Sequence, residues 1–335
     1  MASQAILPRH PLPDVGRDQS RNGLWIVVLA GGQGVRLRAF IRKALGHDRP
    51  KQFCRIIGSR SMLRHTWDRA LRLVPADRVV TVITEGQERF VADEGGRGIP
   101  GRVLVQPFNR ETGPGLLLPL LWIARRDPSA MIAVFPADHF IWEEARFVGC
   151  VEALLAAAQR FPHRLVLLGM EARGPETSYG WIAPGEPLDG GFPEGSLFSV
   201  AGFWEKPDLE KAGVFYAQGY LWNSLVLAGR AAVLLRLAEA HLPASVAILR
   251  EASAWLDTSG EIPALAAAYR QLRPSNLSRE VLEPGRAALL VQAARGISWC
   301  DWGDPARILR TLQQFNCQPS WLPVFVGAEG SSAVL

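Results

Sequence analysis

Short apolar runs recur along the chain, separated by longer stretches with helical spacing. Residues 24–30 (LWIVVLA) form a continuous apolar run that ends in a glycine pair. Such a run predicts a strand covered on both faces, as in a parallel sheet. Similar runs at 79–84, 102–106, 131–135 and 165–169 predict four more strands. Between them, 61–74 opens with Ser61 and carries apolar positions at helical spacing, 116–124 is mostly apolar, and 143–160 is amphipathic. All three predict helices. The polar, arginine-rich stretch from 36 to 51 reads as a loop. This alternation predicts an α/β fold with a mainly parallel, Rossmann-like sheet flanked by helices.

After residue 169 the pattern changes. Strand-like pieces at 179–183, 197–205 and 220–228 are separated by Gly- and Pro-containing loops. Residues 230–270 are rich in Ala and Leu and predict helices, and 287–301 reads as further strand and loop. The second half is therefore expected to form a smaller, β-rich part. With no internal repeat and no low-complexity linker, a single domain over 24–317 is expected. Residues 1–23 read as a mobile leader and 318–335 as an irregular tail.

Composition narrows the class. At 48% hydrophobic and 21% charged, the 335-residue chain can build a core and is not of disordered type. A formal charge of +5 is mild over this length, and no Lys/Arg block forms a phosphate-tracking stripe. A protein that handles small anionic ligands fits this charge equally well. The four cysteines (Cys54, Cys150, Cys300, Cys317) have no C-x-x-C spacing, so they read as reduced thiols and point to the cytoplasm. The first 23 residues lack an apolar signal-peptide core, and no apolar run is long enough to predict a membrane span.

Candidate chemistry begins where the first strand ends. Ala30-Gly31-Gly32-Gln33-Gly34-Val35-Arg36 follows it directly. Glycines after a strand let backbone N–H groups approach phosphates, and Arg36 adds a fixed cation. The loop is not a dinucleotide fingerprint, because Leu37 stands where a third glycine would be, and no Gly-Lys-Ser/Thr makes it a P-loop. Asp138 lies just past a predicted strand, the usual address for ligand groups in open α/β sheets. Asp301 lies in a Trp-flanked segment, where Asp304 competes with it. His65 and His139 read as structural histidines rather than general bases.

Seven ordered motifs carry a resemblance. Gly31-Gly32-x-Gly34-x-Arg36-Leu37 followed by Arg49-Pro50-Lys51-Gln52-Phe53 resembles the sugar-1-phosphate nucleotidyltransferases, and its Pro-Lys-Gln-Phe form resembles the mannose-1-phosphate guanylyltransferases. Gln106-Pro107-x-x-Arg110-Glu111-Thr112 is similar to that family's second nucleotide-binding segment, and Phe135-Pro136-Ala137-Asp138-His139 to its metal-carrying strand end. Tyr179-Gly180-Trp181-Ile182, Trp204-Glu205-Lys206-Pro207 and Trp222-Asn223-Ser224 resemble its sugar-binding segments, and Trp299-x-Asp301-x-Gly303 the segment with the second metal carboxylate.

The resemblance implies a nucleotide-diphospho-sugar transferase fold, with a nucleotide-binding half (24–170) and a sugar-binding half (171–317). It implies formation of a nucleotide sugar and pyrophosphate from a nucleoside triphosphate and a sugar 1-phosphate, most simply GDP-mannose from GTP and mannose 1-phosphate. Arg36 and Lys51 would be catalytic. Ala30, Gly31, Gly32, Gly34, Gln106, Arg110 and Thr112 would bind the nucleotide, although Thr112 could equally cap a helix. Gly180, Glu205, Lys206 and Asn223 would bind the sugar phosphate, and Asp138 and Asp301 would hold Mg²⁺. Lysine is scarce, with four lysines against 33 arginines, yet Lys51 and Lys206 both fall on motifs. Lys43 is a further candidate for the pyrophosphate, and Lys211 reads as surface. A homodimer is left open, and no isomerase segment of the longer bifunctional relatives is expected after the domain.

The chain also departs from the pattern. Val35 replaces a hydroxyl residue, Ala39 a proline, Glu111 an asparagine, and Leu225 a common glycine; the stretch from Arg36 to Lys51 is lengthened. These departures keep open another nucleotide–sugar pair, or a silent paralogue that binds a nucleotide sugar and regulates a partner.

Overall fold

A computed structural model describes residues 23–94, 98–188 and 196–326. The expected leader, apart from Gly23, lies outside the described residues, as does the tail beyond 326. The strands are β1 (Leu24–Leu29), β2 (Val79–Thr84), β3 (Arg102–Gln106), β4 (Met131–Pro136), β5 (Phe140–Ile141), β6 (Leu165–Glu171), β7 (Gly180–Pro187), β8 (Leu197–Glu205), β9 (Leu221–Arg230), β10 (Leu289–Ala294) and β11 (Trp299–Cys300). The helices are α1 (Arg38–Leu45), α2 (Met62–Ala70), α3 (Glu88–Ala92), α4 (Thr112–Arg126), α5 (Glu144–Arg160), α6 (Leu209–Ala217), α7 (Ala231–His241), α8 (Pro243–Ser253), α9 (Glu261–Gln271), α10 (Pro305–Gln314) and α11 (Pro323–Val326).

Nine strands form one sheet in the order β3-β2-β1-β4-β9-β6-β10-β8-β7. The first four are parallel, as the apolar runs predict, and β6 and β10 are parallel to each other. β9 runs antiparallel between β4 and β6. The smaller β-rich part of the second half is continuous with this sheet, which β8 and β7 extend. β7 also pairs back on the upper end of β9, so β9, β6, β10, β8 and β7 close into a circuit of pairings. Closure leaves no long open strand edge on that side.

Both faces are covered, which explains the unbroken apolar runs. In β1, Ile26 and Val28 join one cluster with Trp67 of α2 and Phe147 of α5. Trp25 and Val27 join the other, with Leu residues of α4, α7 and α8.

Five helices were not anticipated: α1, α3, α6, α10 and α11. The expected loop at 36–51 holds a 3₁₀ turn and then α1, whose Phe40, Ile41 and Ala44 are buried. With Leu37 they make an i, i+3, i+4, i+7 stripe that intervening basic and polar residues obscure. α6 and α10 are capped by Asp208 and Asp304. The expected irregular tail also carries structure: Trp321 is buried against Phe40, donates its indole N–H to the Ile56 carbonyl at 3.0 Å, and leads into α11.

Candidate functional site

The 3₁₀ turn Lys51–Phe53 organises the centre of the site. Three residues per turn send consecutive side chains about 120° apart. Phe53 enters the core, Gln52 reaches the glycine loop, and Lys51 reaches two aspartates. The Pro-Lys-Gln-Phe motif therefore serves three directions from one turn.

Gln52 Nε2 donates to the carbonyls of Ala30 (2.6 Å) and Gly32 (2.7 Å). Gln87 Nε2 adds a second bond to Gly32 at 3.0 Å, and Thr84 Oγ1 donates to the Gly31 carbonyl at 2.8 Å. Asn109 Nδ2 reaches the same carbonyl at 3.4 Å. A planar trans peptide points its N–H opposite to its C=O. Drawing these carbonyls back therefore turns the N–H groups of Gly31, Gly32 and Gln33 to the other side. Gln106 lies beneath the loop, 3% exposed, its amide held by Thr84 and the Tyr269 hydroxyl. A Cβ on Gly31 would fall 2.3 Å from Gln106 Nε2, so any side chain there would displace the Gln106 amide from Thr84. Gly34 takes φ 61° and starts the turn that carries the exposed Arg36.

Lys51 is 5% exposed. Its ammonium pairs with Asp138 Oδ2 at 2.9 Å and donates to the carbonyls of Asp301 and, at 3.2 Å, Trp302. Trp302 adopts φ 48° at this turn. Burial pushes the Asp138 carboxyl up, but Lys51 and His139 outweigh it and hold it below the ordinary value. Burial also opposes ionisation of Asp301, while Lys51 and Arg307 bring it below its ordinary value. Both carboxylates are thus ionised at neutral pH. Asp301 Oδ1 accepts from the Tyr179 hydroxyl (3.0 Å), the Gly303 N–H (2.9 Å) and Arg307 Nη1 (2.8 Å). Asp304 instead caps α10 through the Arg307 N–H, and of Asp301 it is the backbone carbonyl, not the carboxylate, that Lys51 meets.

Among the described residues, no group of three or more His, Cys, Asp and Glu is placed to hold a metal. Two ionised carboxylates fit a hard cation that completes its shell with phosphate oxygens and water, the usual arrangement for Mg²⁺.

The sugar-side candidates also converge. Gly180 pairs with both Glu205 and Asn223 across adjacent strands. A Cβ at 180 would lie 2.8 Å from Glu205 Oε2 and 3.1 Å from Asn223 Cβ, so the missing side chain leaves room for both residues against the backbone. Burial raises the Glu205 carboxyl, with Lys206 opposing. Lys206 is half-exposed, takes φ 53°, and donates its N–H to the Tyr179 carbonyl at 3.2 Å. Tyr179 thus joins the sugar-side set to Asp301.

Other expected residues make framework contacts. Arg110 Nε donates to the Tyr269 carbonyl, and Thr112 Oγ1 accepts from the Leu277 N–H at 2.9 Å. Thr112 therefore ties α4 to the 277 segment instead of capping its own helix. Lys43 points at the ring of Phe325, 4.6 Å from its centroid, and not at the glycine loop. Lys211 pairs with Asp208 at the surface. His65 and His139 are structural: burial lowers both, His139 to about 4, and they bond Glu144 and Trp299.

Thr84, Gln87, Asn109, Tyr179 and Arg307 carry parts of the site that the sequence did not assign. Tyr179 lay inside a recognised motif, and Thr84 at a strand end level with the glycine loop. Gln87, Asn109 and Arg307 had no signal before the chain folded.

The sequence profile described as Nucleotidyl transferase matches residues 26–316. The xanthan biosynthesis protein XanB of Xanthomonas campestris pv. campestris (strain B100) is 34% identical over 203 residues, 59% of this chain and 40% of XanB. A mannose-1-phosphate guanylyltransferase of Salmonella montevideo is 34% identical over 203 residues, 59% of this chain and 41% of its own. The chain thus spans about two fifths of the length of these curated relatives. A crystal structure described as mannose-1-phosphate geranyltransferase from Thermus thermophilus superposes with a TM-score of 0.71 at 28% identity, covering 89% of this chain and 80% of that one. Among the described residues, no helix is long and apolar enough to cross a membrane.

Proposed function

The chain belongs to the nucleotidyl transferase family, and on that premise we propose that it joins a nucleoside triphosphate to a sugar 1-phosphate, releasing pyrophosphate. GTP and mannose 1-phosphate are the pair best supported, by the names of the relatives and by the Pro-Lys-Gln-Phe turn. The observation that carries the reading is the junction at Lys51, where the glycine loop, Asp138 and Asp301 meet on one 3₁₀ turn.

An oxygen of the sugar phosphate attacks the α-phosphorus, and pyrophosphate leaves from the opposite side. Both reactants are anions, so rate depends on positioning and on stabilising charge. The N–H groups of Gly31, Gly32 and Gln33 form the cradle for the triphosphate, with Arg36 as a cation at its rim. Lys51 supplies its compact charge at the α-phosphate, releasing one of its present oxygen partners to do so. Glu205 and Asn223 hold sugar hydroxyls close to the backbone at Gly180, and Lys206 meets the sugar phosphate. Asp138 and Asp301 would hold Mg²⁺, which supplies charge neutralisation between phosphate groups. The sugar phosphate is already ionised, so no general base is required, in keeping with the neutral, buried His139.

The test is a pyrophosphate-release assay crossing four nucleoside triphosphates with several sugar 1-phosphates, with and without Mg²⁺. We predict Mg²⁺-dependent turnover, highest with GTP and mannose 1-phosphate, and loss of most kcat in Asp138→Asn and Asp301→Asn without unfolding. Turnover with another pair would move the specificity. No turnover with any pair would leave the binding-only paralogue, the reading that Glu111 in place of the family's asparagine favours.

A further inference from the structure

We propose that Arg307 is a positioning residue for Asp301: its guanidinium fixes the orientation in which that carboxylate meets a divalent cation. The proposal rests on the reading of Asp301 as a metal carboxylate. Arg307 lies one turn into α10, 7% exposed, its N–H bound to Asp304 Oδ1. Its fork divides among three carboxylates. Nη1 meets Asp301 Oδ1 at 2.8 Å, Nη2 meets Glu176 Oε1 at 2.6 Å, and Nε meets Asp304 Oδ2 at 3.1 Å. The guanidinium also sits 4.7 Å from the centre of the Tyr179 ring, and the Tyr179 hydroxyl donates to the same Asp301 Oδ1. With the Gly303 N–H, three donors converge on that one oxygen. Oδ2 has no share in these bonds. A Cβ on Gly303 would fall 2.5 Å from it, so this carboxylate orientation requires glycine at 303.

A carboxylate is free to rotate about its Cβ–Cγ bond unless its oxygens are told apart. Arg307 tells them apart, and it can do so because a guanidinium presents five donors in one rigid plane, which a lysine cannot imitate. Glu176 and Asp304 hold the other edges of that plane, so the guanidinium cannot turn away from Asp301.

Charge and orientation make opposite predictions for removal of Arg307. A cation beside a metal carboxylate repels the metal, so a purely electrostatic role means tighter metal binding without it. A positioning role means weaker binding, by about tenfold or more, as for other groups that orient metal ligands.

The full chain is titrated with Mn²⁺ alone, and free Mn²⁺ is read by electron paramagnetic resonance. Asp301→Asn is expected to abolish the wild-type binding. Arg307→Lys and Arg307→Met are each expected to weaken it about tenfold. Arg307→Lys keeps the charge, so its loss reads the fork alone, and it decides the matter if thermal unfolding shows Arg307→Met to be unfolded. Unchanged or tighter binding in Arg307→Lys overturns the proposal, as does wild-type binding that survives Asp301→Asn. A wild-type protein that binds Mn²⁺ through Asp301 yet turns over no substrate pair would refute the proposed reaction while leaving the role of Arg307 standing.

Discussion

Lys51 Nζ carries three protons and meets three oxygens, one from a carboxylate and two from carbonyls. A planar guanidinium is longer and aims its donors outward in a fork, so it cannot converge on three oxygens around a point. We predict that Lys51→Arg, which conserves charge, lowers kcat roughly 100-fold or more, the usual loss when an electrostatic donor is misplaced. Near-wild-type turnover would refute the role assigned to the ammonium. The scarcity of lysine marked this position in the sequence, but it could not say which oxygens surround it. Two departures from the family pattern also acquire a physical meaning at this scale. Leu225 takes φ 57° within β9, where β9 holds extra residues relative to β6, and Glu111 takes φ 65°, ψ −168° at the start of α4. Glycine adopts both conformations without strain, so each residue carries backbone strain at a segment leading into the site.

At the scale of elements, the region around Lys51 depends on pieces that look peripheral in the chain. α1 packs on Trp321 and Phe325 near the C-terminal end, and Phe140 stacks on Trp302, whose carbonyl accepts from Lys51. Residues expected to be an irregular tail therefore complete a third core cluster beside the site. We predict that Trp321→Ala destabilises the fold by about 3 kcal/mol, from lost burial and the cavity left behind. Urea unfolding measures it, and a loss below ~0.5 kcal/mol, the range of neutral surface substitutions, would show that the segment does not hold α1. The strands and long helices were legible because their apolar periods are strong. α1, α3, α6, α10 and α11 were not, because their apolar positions are interrupted by charged and polar residues or span barely one turn. Tertiary packing, not propensity, makes such helices stable.

The whole molecule should lose stability on the acid side. His139 is lowered to about 4 by burial and His65 is lowered by the same cause, so in the folded state both take up protons at lower pH than in the unfolded chain, which does so below about 6.5. Fewer protons bound in the folded state means that stability rises with pH. The contribution is complete above the unfolded value and is lost as pH falls toward the folded one. Glu144, Asp138 and Asp301, all held below their ordinary values, add losses of the same sign at lower pH. We predict that His139 alone costs about 2 kcal/mol between pH 7.5 and pH 5.0. Urea midpoints at the two pH values test this, and His65→Gln should reduce the difference. Equal midpoints would show that the histidines are not buried as neutral groups.

The sequence by itself determined the α/β class, the strands of the parallel half, the glycine loop and the seven ordered motifs that carry the family resemblance. Those features are local: a strand covered on both faces, a loop needing glycine and a turn such as Pro-Lys-Gln-Phe each write their requirement into neighbouring residues. Tertiary structure alone decided which oxygens Lys51 meets, that Thr112 accepts from the Leu277 N–H, that Lys43 lies over Phe325, and that Arg307 grips Asp301. The Lys51 contact joins segments 250 residues apart. A side chain's partners across such a separation depend on which strands pair and which helices dock. No spacing along the chain encodes that.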